Sequence, residues 1–166
     1  MGVSKQEAEA IKKYLYPNAD RKSNEGREIV LPILVRNPAA LEFYFKVAIH
    51  YFLKCTNWKC CGASFGLMFD ILQDSGVGGL PKYSHEYLNP RRDLKEAVKI
   101  KIKQLGFETG GNDLRYILDV IGIHTQRPVK RIEYVEVGRW PFKKTVPREL
   151  IDYEPREKEE ILRELG

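Results

Sequence analysis

Residues 38–54, PAALEFYFKVAIHYFLK, decide the fold of this 166-residue chain. Asn37 and Pro38 supply the N-cap and the first-turn proline with which many helices begin. Large apolar side chains cover most of the circumference of the helix that follows: Leu41, Phe43, Tyr44, Phe45, Val47, Ala48, Ile49, Tyr51, Phe52 and Leu53. A helix that is apolar nearly all round lies in the centre of a core. The sequence therefore predicts a compact helical domain around central helix 38–54.

Weaker signals on both sides of this segment predict further helices. Ser4 and Glu7 form a capping box for a first helix that ends before Pro17. Other helices are expected at 63–74, at 90–105, and from Asn112 or Asp113 to Gly122, and a last helix opens at Pro155. In 90–105 the spacing of Leu94, Val98 and Ile102 favours a helix over the strand-like alternation of 98–103.

Two segments are expected to be strands. Residues 28–35 predict an edge strand interrupted by Pro32, and 131–137 give the best strand candidate of the second half. The fold class is therefore mainly α, or α+β with one or two short strands, with a second half that suits a winged-helix-like module. We expect one domain over 1–166, which subdivides into a helical core at 1–88, a basic module at 89–147 and an acidic C-terminal helix at 148–166.

Positive charge is concentrated in one block of the chain. The net charge is +5, from 28 Lys and Arg against 23 Asp and Glu. By segment it is +2 over 1–90, +6 over 91–147 and −3 over 148–166. A basic block with an acidic end suits either an anionic partner or internal charge pairing.

Several classes of protein are disfavoured by what the sequence lacks. There is no apolar run long enough for a membrane helix and no secretory signal, so we expect no membrane association. Three cysteines cannot all pair, which favours a reducing, cytoplasmic setting. The common nucleotide, zinc-protease and serine-hydrolase motifs are absent, so we expect no cofactor and lean away from an enzyme. The many charged residues are typical of a thermophile.

A cluster of thiols raises the question of a metal. His50, Cys55, Cys60 and Cys61 lie within twelve positions and include zinc-ligand types. Their spacing is not that of a zinc knuckle, and free cysteines commonly pack as small buried hydrophobes. No metal site is therefore predicted.

The glycine turn Gly76-Val77-Gly78-Gly79 follows a predicted helix and resembles a helix-hairpin-helix element. The resemblance covers about ten residues and implies that the turn approaches a DNA phosphate through backbone amides. The alternative is an ordinary glycine-terminated helix followed by a loop.

The segment 124–144 carries the strongest functional signal. It holds six Lys and Arg against two Glu, together with an aromatic pair near its basic end. Basic side chains bind phosphates and aromatic rings stack on bases. The sequence predicts a non-catalytic nucleic-acid-binding protein, with duplex DNA as the favoured partner, through Arg127, Lys130, Arg131, Arg139, Trp140, Lys143 and Lys144, with Arg91 and Arg92 from helix 90–105.

Two alternatives stay open at this level. The first is a nucleic-acid-processing enzyme, a nuclease or base-excision type, with Glu133, Glu136, Asp113 and Asp119 as acidic candidates. The second is a protein-interaction subunit, or a homo-oligomer, that docks through helix 38–54 and the acidic tail.

Overall fold

The computed structural model describes residues 2–16, 24–73 and 91–166. In these ranges the chain forms seven helices and one two-stranded antiparallel sheet. The helices are α1 (Lys5–Leu15), α2 (Asn24–Arg36), α3 (Pro38–Lys54), α4 (Trp58–Gln73), α5 (Arg92–Leu105), α6 (Gly111–Val120) and α7 (Lys158–Leu165), and the strands are β1 (Gln126–Val137) and β2 (Lys144–Pro155). The mainly helical class with a small sheet is confirmed.

Helix α3 is the centre of the helical body, as its sequence predicts. Its N-cap Asn37 accepts a hydrogen bond from the backbone N–H of Ala39 at 3.1 Å. Helices α1, α2, α4 and α5 all pack against it. The buried Tyr44 hydroxyl donates to the Met68 carbonyl of α4 at 2.8 Å, and burial raises the pKa of Tyr44 well above its ordinary value.

The expected edge strand at 28–35 is wrong, because these residues lie within helix α2. Pro32 occupies an exposed position inside that helix, where it removes one backbone hydrogen bond at a cost of about 3 kcal/mol. Val30, Ile33 and Leu34 share the opposite, buried face. Burying three such side chains contributes about 1.5–3 kcal/mol each, which outweighs the cost of the proline.

Helix α4 begins at Trp58, five residues earlier than predicted. Asn57 caps it by accepting the Cys60 backbone N–H at 2.8 Å. The Trp58 indole is buried and donates to the Gly106 carbonyl at 3.0 Å, so its polar atom is satisfied inside the body. At Gly62 the helix meets Asp113 of α6 so closely that an added Cβ would lie 2.8 Å from a carboxylate oxygen.

Helices α5 and α6 form close to where they are predicted, but with different N-caps. The N-cap of α5 is Arg91, and residue 90, the expected start of this helix, lies outside the described residues. Helix α6 is capped by Gly110 rather than by Asn112 or Asp113, and its cap makes no side-chain hydrogen bond. The glycine turn 76–79 also lies outside the described ranges.

The predicted strand 131–137 is part of a longer β1, which pairs along its whole length with β2. Pro155 is the last residue of β2, and α7 starts at Lys158 rather than at the proline. Helix α7 buries Ile161 and Leu165, and its first turn carries Glu159 and Glu160, as its dipole favours.

One hydrophobic cluster joins the helices on both sides of the undescribed 74–90 segment. Val98 of α5, Ile117 of α6 and Ile161 of α7 belong to the same buried core as Phe45 and Phe52 of α3. Within the described ranges, none of the helices combines the length and apolar character that crossing a membrane requires.

Candidate nucleic-acid interface

Strands β1 and β2 form a projecting two-stranded ribbon, called the ribbon below. Each strand has 12 residues, which at about 3.3 Å per residue gives a length of about 40 Å. Nearly every side chain in it is exposed or half-buried, and the strands contact mainly each other. At the base, Arg156 donates from its backbone to the Thr125 carbonyl and from its guanidinium to the His124 carbonyl, each at 2.9 Å.

The register divides the ribbon into a charged face and an apolar face. On the charged face Arg127 pairs with Glu154, directly opposite, at 3.0 Å, and Arg131 pairs diagonally with Asp152 at 3.1 Å. These two arginines, predicted to bind phosphates, therefore each pair with an acidic side chain of β2 in the free protein. Cross-strand pairs of this kind are exposed and weak, so a phosphate could compete for the same guanidinium groups.

The other face carries four large exposed side chains, from 61% to 69% accessible: Ile132, Tyr134, Ile151 and Tyr153. Lys130 lies on this face too, opposite Ile151. Its ammonium group has no carboxylate within 4.0 Å among the described residues. The apolar surface expected on helix 38–54 is instead mostly buried, and the most exposed large apolar side chains of the described residues lie on the ribbon and its turn.

The turn at the end of the ribbon, residues 138–143, carries the two most exposed large apolar side chains of the described residues. Trp140 and Phe142 are each 83% accessible. From 136 to 148 there are four basic residues against one acidic residue, and Lys143 lies 3.9 Å from that residue, Glu136. Positive charge therefore accumulates at the tip, while the base of the ribbon is charge-balanced.

Gly138 allows this turn to form. Its φ of +95° lies in the region that side-chain-bearing residues avoid, and an added Cβ would lie 2.8 Å from the Phe142 carbonyl oxygen. The glycine therefore lets the chain reverse while both rings face solvent.

Arg91 and Arg92 differ in their availability. The Arg91 guanidinium lies 3.8 Å above the Phe45 ring and pairs with Asp93 at 2.7 Å and Glu42 at 3.1 Å, which leaves its side chain 13% exposed. Burial lowers the pKa of Arg91, but its hydrogen bonds with Asp93 and Glu42 outweigh that effect and raise it. Arg91 therefore belongs to the packing of α5 on α3, whereas Arg92 is exposed.

The acidic candidates for a nuclease are not brought together. Glu133 and Glu136 lie on opposite faces of the ribbon because their positions differ by an odd number. Asp113 packs against Gly62, and Asp119 lies 3.4 Å from the His124 ring nitrogen. These four carboxylates therefore cannot hold one cation between them.

The three cysteines and His50, which lie within twelve positions in the sequence, differ in their exposure. Cys55 and Cys61 are buried and Cys60 is half-buried, whereas His50 is exposed with its ring 5.7 Å from that of Tyr51. Among the described residues, no group of three or more His, Cys, Asp or Glu side chains is arranged to hold a metal ion.

An open basic groove of about 490 Å³ lies between α1 and α3, and sequence reasoning missed it. Every titratable side chain along it is basic or aromatic, and the lining residues are Lys12, Tyr16, Lys46, Val47, His50, Tyr51 and Lys54. The signal was present in the sequence as an i, i+4 column of Lys46, His50 and Lys54, which α3 leaves exposed on its otherwise buried surface.

Comparison of the chain with family models, curated protein sequences and solved structures gave no significant match. Its function is therefore inferred from its own residues.

Proposed function

We propose that this chain is a nucleic-acid-binding protein that contacts duplex DNA through the ribbon, without catalysis, in the cytoplasm. The observation that carries the proposal is the tip, where Trp140 and Phe142 are almost fully exposed between basic residues. Exposing two large rings to water is unfavourable unless a partner covers them, since full burial of such a ring contributes about 1.5–3 kcal/mol.

The shape of the ribbon suits a DNA groove. The major groove of B-DNA admits a two-stranded β-ribbon, and apolar wedges at the ends of protein arms insert between base steps in the minor groove. Arg139, Lys143 and Lys144 lie beside the two rings, where they would contact the phosphates that flank the inserted side chains. Lys130, Arg127 and Arg131 would extend these contacts along the ribbon, and Arg91 is left out because of its internal partners.

Salt dependence tests the proposal, because each phosphate contact releases condensed counterions. We expect fluorescence anisotropy with a labelled duplex to show affinity falling steeply with salt. The double variant Lys143→Ala/Lys144→Ala should flatten the slope of log affinity against log salt by about 1.8, or about 0.9 per lost contact. Trp140→Ala should weaken binding about 5- to 100-fold, as for the loss of one stacked ring.

Two matched double variants serve as controls. Lys59→Ala/Lys103→Ala removes the same charge from exposed sites on α4 and α5 and should leave the slope nearly unchanged. Lys46→Ala/Lys54→Ala removes it from the basic groove, and an equal flattening there would place the interface on the helical body and overturn the ribbon assignment. Incubation of labelled DNA or RNA with the protein and Mg²⁺ should give no cleavage, and cleavage would favour the enzyme alternative.

Association with a second copy of the chain is a second candidate function, favoured by the apolar face of the ribbon. Four exposed large side chains on one face of an unpartnered two-stranded sheet form a surface that another such face could cover. Light scattering at rising concentration should then detect a dimer, and Tyr134→Lys should abolish it. A monomer at about 100 μM would contradict this candidate, because a dimer with a Kd of about 1 μM, or about −8 kcal/mol, would be mostly associated at that concentration.

A further inference from the structure

The connection between α3 and α4 brings three thiols together. Cys55 is the C-cap of α3, and Cys60 and Cys61 lie in the first turn of α4. The Cys60 thiol lies 2.7 Å from the Cys55 sulfur, and the Ser64 hydroxyl lies 3.5 Å from that same sulfur. The sulfur atoms of Cys55 and Cys60 are therefore in direct contact, although the two residues are five positions apart in the sequence.

Access to the cluster differs between its members. Cys61 is fully buried and Cys55 is 5% exposed, whereas Cys60 is half-buried. A small reagent reaches the pair from the side of Cys60. The adjacent residues Cys60 and Cys61 are poorly placed to pair with each other. Cys61 also makes a hydrogen bond with Cys55, but it is fully buried, so Cys55 and Cys60 form the pair that a reagent can reach.

The surroundings favour a thiolate at Cys55. A hydrogen bond from Cys61 lowers the pKa of the Cys55 thiol most, burial opposes this, and Cys60, Ser64 and the Lys101 ammonium lower it further. The hydrogen bond with Cys55 and burial raise the pKa of Cys61, which therefore keeps its proton. Lys101 is 2% exposed and donates to the Cys55 carbonyl at 2.5 Å and to Gln104 at 3.0 Å.

We propose that Cys55 and Cys60 form an oxidisable dithiol that hydrogen peroxide converts to a reversible intramolecular disulfide. The Cys55 thiolate attacks one peroxide oxygen, the O–O bond breaks, and the leaving hydroxide takes a proton to become water. The Cys60 sulfur then attacks the sulfenic sulfur of Cys55, the S–S bond forms, and the S–O bond breaks. The second hydroxide leaves with the Cys60 proton as water, so two thiols are oxidised and one peroxide is reduced to two waters.

Mapping of the oxidised full chain tests the proposal. The reduced protein is treated with hydrogen peroxide, quenched, unfolded, and alkylated with iodoacetamide. We expect the intact mass to show one alkylated thiol and the loss of two hydrogen atoms, and peptide mass spectrometry to link Cys55 to Cys60. Dithiothreitol should restore three alkylatable thiols.

Two variants separate the roles of the thiols. Cys60→Ser should lose the intramolecular link and leave a sulfenic acid at Cys55 that dimedone traps. Cys61→Ala should keep the link between Cys55 and Cys60, with slower formation because it removes the Cys61 hydrogen bond that lowers the pKa of the Cys55 thiol. A link that involves Cys61, exclusively intermolecular disulfides, or three free thiols after oxidation of the wild-type chain would each overturn the proposal, without reliance on the folding of either variant.

Discussion

The helical body and the ribbon are stabilised in different ways. In the body, α3 is surrounded by four helices, and its aromatic side chains are buried among them. In the ribbon, two 12-residue strands contact mainly each other and leave aromatic and aliphatic side chains in solvent. An isolated two-stranded sheet is marginally stable in water. The ribbon is therefore stabilised by the backbone hydrogen bonds between its strands, by its cross-strand ion pairs and by the hydrogen bonds of Arg156 at its base.

This difference indicates where function is to be sought. Most large apolar side chains in the body are buried by packing, whereas the most exposed ones of the described residues lie on the ribbon and its turn. Open sheet edges also invite pairing with other chains, and Pro128 and Pro147 each remove a backbone donor from the two strands. The ribbon thus limits nonspecific edge pairing while it keeps its tip and one apolar face exposed.

The largest effect on stability should come from a phenylalanine in the body. Phe52 is buried and its ring meets that of Phe65 at a centroid distance of 4.9 Å. Phe52→Ala should lower the free energy of unfolding by about 3–5 kcal/mol, because it leaves a cavity. Urea denaturation followed by circular dichroism measures this.

Phe142→Ala is the matched change on the ribbon and should alter the same free energy by less than about 0.5 kcal/mol. Similar losses for both phenylalanines would show that the ribbon tip packs into the body in solution. Such a result would contradict the difference in packing between the helical body and the ribbon.

Alanine substitution at two glycines of α4 should change the free energy of unfolding in opposite directions, by smaller amounts than Phe52→Ala. Gly62→Ala should lower the free energy of unfolding by about 1–2 kcal/mol, because the new Cβ would lie 2.8 Å from Asp113 of α6. Gly66→Ala should raise it by about 0.5–1 kcal/mol, since its Cβ meets only the Tyr116 hydroxyl at 3.8 Å and alanine is the better helix former. Thermal unfolding of both variants gives the comparison.

Asp113→Ala in the Gly62→Ala background should recover part of the loss. If the two glycine variants behaved alike, the close α4–α6 contact would not be the cause, and tight packing would no longer distinguish this part of the body from the ribbon.

The smallest effect should come from the ion pair at the base of the ribbon. Arg127 and Glu154 are about half exposed, so a double-mutant cycle of their alanine variants should give a coupling of about 0.2–1 kcal/mol. The coupling should shrink at high salt because screening weakens exposed pairs. Hydrogen exchange of ribbon amides measures it, and a coupling well above 1 kcal/mol would mean that the pair is desolvated, for example by a second copy of the chain.

Local signals explain which parts of the fold were predictable. The N-caps at Ser4 and Asn37 and the apolar spacing of α3 and α5 predicted those helices, because caps and periodicity act within a few residues. The start of β1 and the whole of β2 were missed, because Pro128 and Pro147 argue locally against strands. Their partners across the ribbon stabilise both segments in spite of the prolines.

The candidate site was predictable in part for the same reason. Trp140 and its basic neighbours stand out as a local cluster, so the tip was identified from the sequence. The internal partners of Arg91 are Glu42 and the Phe45 ring, and the strand partner of Arg127 is Glu154, all distant in the chain. Contacts between such distant positions could not be deduced from spacing.

The sequence by itself determined a buried central helix and the concentration of charge and aromatic side chains near residue 140, because composition and helical periodicity are local properties. Tertiary structure alone decided that 28–35 is a helix, that β2 pairs with β1 along its whole length, and that the sulfur atoms of Cys55 and Cys60 are in contact. These outcomes depend on which distant side chains are buried together, and that burial supplies enough free energy to override local preferences.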